Sequence, residues 1–439
     1  MNKKGLSTRG NALASGSTRV DMELFHNAMQ DLYDPETNPD GAFPLNVAEN
    51  RLMSGVIREG LTGITSKETI PDWVLNYTET IGHPEVRETI ALFMEEHLCK
   101  CHIDPDSIGF SAGVSAIIET SSFLLGNKGD VVVIPAPSYP MYTKDMGIKS
   151  GLERYDLQTH YNIEETGSAA PVTVPLLEEA KKKIRSEGKQ FKLLVITSPD
   201  NPTGCIYGEE QLRELAEWCI GNNIHMIVNE IYALSQIDTS DKLISADYKE
   251  DLVFTSFASI MKDIQSDFLH LWYGLSKDFA MSGLRFGIVH SLNEDFINAM
   301  RNINIPHMVS NHTQWMVSEL FKRSDFIKGF VQKNKEMITA SYTEVVKTLR
   351  KIGAPYIPAR GSLFIWADLS KYLKEDSDKG QEELWMDIYK NTGVLLTPGA
   401  GFGHRKKGLF RIVHTAIPAS HLAVAMKKMG SYLSRHQKV

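Results

Sequence analysis

Residues 192–228 read KLLVITSPDNPTGCIYGEEQLRELAEWCIGNNIHMIV, and the order of patterns inside them decides the fold. Lys192 to Thr197 is a short β-branched run closed by Ser-Pro, the signature of a buried strand. Glu209 to Cys219 follows, with apolar Leu212, Leu215, Ala216 and Cys219 three or four apart, the spacing of one helical face. His225 to Val228 is a second apolar run. Strand, helix and strand in that order imply a crossover, so the two strands lie parallel in one sheet. Working outward from about residue 110 to 290, Val131 to Ile134, Leu252 to Phe254 and His270 to Tyr273 read as further strands, bounded by Gly, Pro or Asn. The C-terminal third differs. Asn311 to Leu349 is helical in pattern, and strand-like runs follow at Ser362 to Ala367 and Leu409 to Val413. The expected class is α/β: a large, mainly parallel sheet flanked by helices, plus a smaller α+β domain.

Size and composition narrow the function. At 439 residues the chain exceeds the roughly 250–300 at which a single core stops growing, so two domains are expected. No repeat and no Gly/Ser-rich or Pro-rich linker separates them, so they share one continuous architecture. With 47 basic against 54 acidic residues the net charge is -7, which argues against a nucleic-acid partner. No apolar run approaches the roughly 18 residues of a membrane span. The opening MNKKGLSTRGNALASGSTR lacks the apolar stretch of a secretory signal, so the expected location is the cytoplasm. Four cysteines are too few and too irregular for a disulfide framework, and reduced thiols are expected. Cys99-Lys100-Cys101-His102 has no second ligand pair at finger-like spacing, and no metal is assigned.

In an open α/β sheet, ligands sit beyond the carboxyl ends of the strands, and three polar segments fall there. Ser276-Lys277 follows the run His270 to Tyr273, and Arg285 lies eight residues on in Gly283-Leu284-Arg285-Phe286-Gly287. An amine beside a second cation and partly out of water has a lowered pKa and attacks carbonyls, so an aldehyde bearing a phosphate suits the pair. Ser198-Pro199-Asp200-Asn201-Pro202-Thr203-Gly204 and Asn229-Glu230-Ile231-Tyr232 close the other two strands. Read singly, these are turn signals.

Together, in this order and spacing, the motifs resemble fold-type I pyridoxal 5'-phosphate (PLP) enzymes, the class I/II aminotransferases and 1-aminocyclopropane-1-carboxylate (ACC) synthases. LSTRG, YDPETNPDG, AENRL and WYGLSKDFAMSGLRFG resemble the ACC synthase-like branch most closely. The resemblance implies a large PLP-binding domain over 51–310 and a small domain formed by 1–50 with 311–439. It implies that Lys277 holds PLP as a Schiff base and then moves protons at Cα. Arg285 grips the phosphate, helped by Gly113, Val114, Ser115 and Ala116 at a helix N-terminus and by Ser276. Tyr139 stacks on the pyridine ring, and Asn201 and Tyr232 hydrogen-bond its phenolic oxygen. Arg411 binds the α-carboxylate of an amino-acid substrate, with Asn201 and Glu49 also near substrate. Tyr77 reaches the cofactor of a neighbouring subunit, which makes a homodimer with shared active sites the expected assembly.

Two positions depart from that pattern. Asn229 stands where relatives carry the aspartate that keeps the pyridine nitrogen protonated, which implies a weaker electron sink. Gly274 stands where many carry a phosphate-binding serine. The leading functional expectation is an aminotransferase. An ACC synthase-type lyase using S-adenosylmethionine is the second reading, and a low-turnover PLP-binding regulatory protein, supported by Asn229, is the third. The basic run His404-Arg405-Lys406-Lys407 reads as a solvated loop that could meet an acidic substrate group.

Overall fold

The computed structural model describes residues 5–15, 20–159, 163 and 167–436. Parts of the opening stretch read above, residues 1–4 and 16–19, lie outside them. In chain order the strands are β1 (Phe43–Pro44), β2 (Ile108–Ala112), β3 (Val131–Ala136), β4 (Glu153–Gln158), β5 (Phe191–Thr197), β6 (His225–Asn229), β7 (Leu269–Gly274), β8 (Phe286–Ser291), β9 (Phe364–Asp368), β10 (Val394–Leu395), β11 (Thr397–Pro398) and β12 (Leu409–Val413).

Seven of them form the central sheet in the order β2-β8-β7-β6-β5-β3-β4. The pairs from β4 through β7 are parallel, and β8 runs antiparallel to both β7 and β2. Strands β6 and β7 are buried along their whole length because helices cover both faces, which is why they read as continuous apolar runs. The pleat sorts their side chains by alternation. Val132 and Ile134 pack with Ile227 and Trp272 beneath the helix Val114–Leu125, while Val131 and Val133 pack with Met226 and Val228 on the other face. The helix expected after β5 spans Glu209–Gly221 and buries Leu212, Leu215, Ala216 and Cys219.

One expected strand does not form. Leu252 to Phe254 has no ladder, because its backbone is claimed by a side chain: the Arg360 guanidinium donates to the carbonyls of Leu252 and Glu250, both at 2.5 Å, and Val253 is left exposed.

A second sheet, β11-β12-β9, is antiparallel and packs with the helices Ser324–Lys351, Asp378–Thr392 and Ala419–Arg435. Strand β1 pairs in parallel with β10, so the segment around residue 43 joins the C-terminal part of the chain. Thr197, Asn229 and Trp272 stand in register across β5, β6 and β7. The chain segments that leave these strands therefore emerge side by side, and the segment 46–49 and Arg411 of β12 close over them.

Candidate active site

Beyond the carboxyl ends of β5, β6 and β7 lies a cavity of about 280 Å³. It gathers Glu49, Val114, Ser115, Tyr139, Asn201, Asn229, Tyr232, Ser276, Lys277, Arg285 and Arg411, residues spread across more than 350 positions of sequence. Gly113 lies directly behind its wall, against Arg285.

Lys277 sits in a single helical turn, Leu275–Asp278, that breaks sharply from β7. Its Nζ donates to the Ala48 carbonyl oxygen at 2.6 Å. Burial lowers the amine to about 8; the Glu49 carboxylate opposes the shift, and the Arg411 and Arg285 cations add to it. A lysine so placed is neutral often enough near pH 7 to act as a nucleophile and base.

One end of the cavity is built for an anion. Gly113 caps the helix Val114–Leu125 at φ +84, a conformation that suits glycine, and a Cβ there would stand 2.2 Å from Nη2 of Arg285. Absence of a side chain thus lets the guanidinium lie against the helix N-terminus, whose Val114 and Ser115 line the cavity. Arg285 is fixed by donating to the carbonyls of Ser282 (3.0 Å) and Ala112 (3.3 Å). Gly274 has a steric partner: a Cβ on it would meet Cγ2 of Val114 at 2.6 Å. Val114 occupies the space in which a serine at 274 would stand, so the two residues form a matched pair.

At the other end, the Arg411 guanidinium is buried between Phe364 (4.5 Å to the ring centre) and Phe402 (5.0 Å). Its Nη1 donates to Oδ1 of Asn201 (3.0 Å), and Nη2 to the Asn46 carbonyl (2.6 Å). Tyr232 stands edge-on to Phe364, and burial raises its phenol against the pull of Arg411. Tyr139 is half-buried and edge-on to Tyr142, 5.3 Å between ring centres.

Asn229 is 5% exposed. Its Nδ2 donates to the Tyr142 hydroxyl (2.9 Å), which in turn meets Oγ1 of Thr197 (3.0 Å), and its Oδ1 accepts from the Ile231 N–H (3.2 Å). No carboxylate lines this wall of the cavity among the described residues. Glu49 faces the cavity with its carboxylate held by Nε of Arg51 at 2.9 Å.

Two sequence-derived candidates fall elsewhere. Tyr77 is fully exposed and does not line the cavity of its own chain. In the basic run, Lys406 pairs with Asp368 (2.6 Å) and Lys407 with Asp378 (2.5 Å), away from the cavity. Sequence reasoning missed Tyr142, Thr197, Asn46 and Met22, which also line it. Tyr142 lies three residues beyond Tyr139, at the start of the helix Tyr142–Gly147, a proximity that could have flagged it; the other three come together only through tertiary register.

Residues 64–429, most of the chain, match the family Aminotransferase class I and II. The chain belongs to that family. Its class I/II relatives include ACC synthase 6 of Arabidopsis thaliana, 28% identical over 92% of this chain and 80% of that protein. ACC synthase 2 of Oryza sativa subsp. japonica is likewise 28% identical, over 92% of this chain and 83% of its own length. Among solved structures, an archaeal alanine:glyoxylate aminotransferase superposes with a TM-score of 0.78 at 17% identity, covering 98% of both chains. A Thermus thermophilus aspartate aminotransferase double mutant gives 0.74 at 19% identity, over 98% of this chain and 99% of that one. These structures share the fold, fold type I. Class I/II aminotransferases and ACC synthases are PLP-dependent, and this class I/II member is a PLP-dependent enzyme. Its residues fit the group: a nucleophilic amine on the cavity floor, and an arginine laid against a glycine-capped helix N-terminus at one end.

Proposed function

We propose that the protein is an aminotransferase acting on an α-amino acid, with Lys277 as the covalent anchor of the cofactor and the base at Cα. The observation that carries this reading is the placement of Lys277: a buried amine lowered to about 8, in one cavity with an anion cradle and a buried arginine. Bound PLP would supply an aldehyde that condenses with an amine, and a ring that takes up electrons released at Cα. Gly113, Val114, Ser115, Ser276 and Arg285 would hold its phosphate. Tyr139 would cover the ring face, and Asn201 and Tyr232 would donate to its phenolic oxygen. Arg411, its planar guanidinium held between two phenyl rings, would present a fork to the substrate carboxylate and so fix which Cα bond faces Lys277. Lys277 would serve as the base that takes the Cα proton and carries it through the 1,3-proton shift of transamination.

Under the same reading the chain divides at 50/51 and 310/311 into large and small domains, and it acts as a homodimer. ACC synthase-type lyase chemistry is the second reading, supported by the named relatives and by Glu49 facing the cavity. Absorption spectroscopy separates the possibilities. The isolated protein should show a cofactor band that Lys277→Ala removes, and one or more amino acids should convert the band to the amine form. Release of methylthioadenosine from S-adenosylmethionine, without conversion by amino acids, would replace the first reading by the second. A band that neither amino acids nor S-adenosylmethionine perturb would leave the low-turnover PLP-binding reading, and no band after added PLP would leave a fold without its chemistry.

A further inference from the structure

Lys277 is held from two sides. Its Nζ meets the Ala48 carbonyl (2.6 Å), and the residue after it in the chain, Asp278, is buried beneath the cavity floor at 1% exposure. Asp278 forms no ion pair among the described residues. Instead its Oδ2 accepts from the Leu234 N–H (3.0 Å) and the Tyr273 hydroxyl (3.1 Å), and its Oδ1 from the Ser235 hydroxyl (2.6 Å). That links the Lys277 turn to the loop carrying Tyr232.

The same loop is tied onward. Asn334, 1% exposed in the middle of the helix Ser324–Lys351, donates from Nδ2 to the Leu234 carbonyl at 3.4 Å. Its Oδ1 accepts from Nδ2 of Asn50 at 2.8 Å. Asn50 is two residues beyond Ala48, whose carbonyl holds the amine. The path therefore closes on itself: Lys277, Ala48, Asn50, Asn334, Leu234, Asp278 and back to Lys277. It crosses four chain segments that are far apart in sequence.

We propose that Asp278 and Asn334 are positioning residues, which use this closed ring of buried hydrogen bonds to fix where the Lys277 amine stands in the cavity. Two features support a positioning role over plain packing. Leaving a buried polar group without its hydrogen bond is costly, so the bonds made in the ring favour one arrangement of the four segments where an apolar contact would admit several. Every link also bears on the two points that hold the lysine, its own backbone turn and the carbonyl that receives its amine. When Lys277 is freed by substrate, the ring returns the amine to one place.

The inference rests on the PLP-enzyme reading, and its test uses the holoenzyme. Asp278→Ala, Asp278→Asn, Asn334→Ala, Asn50→Ala and the double variant Asn50→Ala/Asn334→Ala are compared with wild type. Three quantities are read: the pH midpoint of the cofactor absorption change, deuterium uptake at Cα across glycine and the common L-amino acids, and the thermal midpoint. Asp278→Ala and Asn334→Ala should move the pH midpoint by about 0.5 unit or more. They should slow deuterium uptake about 10- to 100-fold, the scale set by a misplacement near 1 Å. Asp278→Asn should restore wild-type values, since its side-chain oxygen can accept from Leu234 and Tyr273 while its amide donates to the Ser235 hydroxyl. The double variant should be no worse than Asn334→Ala, because both break one path. Where Asn334→Ala fails to fold, Asn50→Ala carries the same prediction. Changes in thermal midpoint alone, or an Asp278→Asn protein as damaged as Asp278→Ala, would overturn the proposal. A wild-type protein lacking the cofactor band would sink the enzyme reading first; a wild-type band with unmoved variants sinks only the ring.

Discussion

At the scale of single residues, Asn229 is the departure from the family pattern that a substitution can test directly. Its amide donates to Tyr142, whose hydroxyl meets Thr197, and both hydroxyls can reverse their roles as donor and acceptor. An aspartate at 229 could therefore accept from Tyr142 and from the Ile231 N–H without any atom moving. Asn229→Asp should fold with an almost unchanged thermal midpoint. If an anion at this wall favours a protonated ring nitrogen, raising its pKa by about 1 to 3 units, deuterium exchange at Cα should accelerate about 10-fold or more. An unchanged exchange rate in the correctly folded variant would show that Asn229 does not limit the reaction. Lys277, Arg285 and Asn201 were legible as cavity-lining residues because each lies in a local motif at a strand end, and Arg411 because it stands inside the short apolar run Leu409 to Val413. Tyr142 and Thr197 were not, since their contact with Asn229 spans 87 and 32 positions and exists only through strand register. Asp278 was hidden for a different reason: nothing in the local sequence marks that acid as buried.

Elements carry a second kind of information, because each strand has two ends. At the end of the central sheet remote from the cavity, Nδ1 of His225 (β6) meets Nε2 of His270 (β7) at 3.1 Å, and Nδ1 of His270 meets the Ser291 hydroxyl (β8) at 2.9 Å. His290 of β8 meets the Ser107 hydroxyl at 3.0 Å. Burial lowers His225 and His290 to about 4 and His270 well below its ordinary range. The folded-state values lie below the unfolded one, so the unfolded chain takes up protons first. Stability is then complete above about pH 6.5 and falls as the pH drops toward 4, by up to about 1.4 kcal/mol per pH unit for each histidine. Urea midpoints measured between pH 7 and pH 4.5 should decline, and His225→Gln with His290→Gln should flatten the slope; an equally steep decline in the double variant would exclude these histidines as the cause. Strand patterning itself was readable where both faces are covered, as in β6 and β7. It misled at Leu252 to Phe254, where three apolar residues look like a strand, yet the Leu252 carbonyl is taken by the distant Arg360 and no ladder forms. The two-residue strands β1, β10 and β11 carry too few positions for any period to show.

For the whole molecule, the question is what covers the large apolar side chains left in water. Tyr77 is fully exposed, Leu75 is 81% exposed and Ile305 66%. The segment bearing Leu75 and Tyr77 is not loosely attached: Nδ2 of Asn311 donates to the carbonyls of Trp73 (3.2 Å) and Asn76 (2.6 Å), and Trp73 stacks on His83 at 4.1 Å. A rigid backbone that presents apolar side chains outward is the form of a surface made for a second subunit. The protein should therefore sediment as two chains of 49.2 kDa, and Leu75→Asp should dissociate them. The resemblance further implies that Tyr77 serves the partner's cofactor, which subunit mixing can test. A Tyr77→Phe homodimer should retain cofactor poorly, and a Lys277→Ala homodimer should be inactive. In the mixed dimer, the site containing intact Lys277 receives Tyr77 from the Lys277→Ala chain and is complete, while the other site carries both defects. Random mixing makes half of the dimers mixed, each with one good site of two, so activity should recover to about one quarter of wild type. If mass measurement confirms mixed dimers and activity stays at the level of the parents, each active site draws on its own chain alone, and the exposed tyrosine needs another explanation.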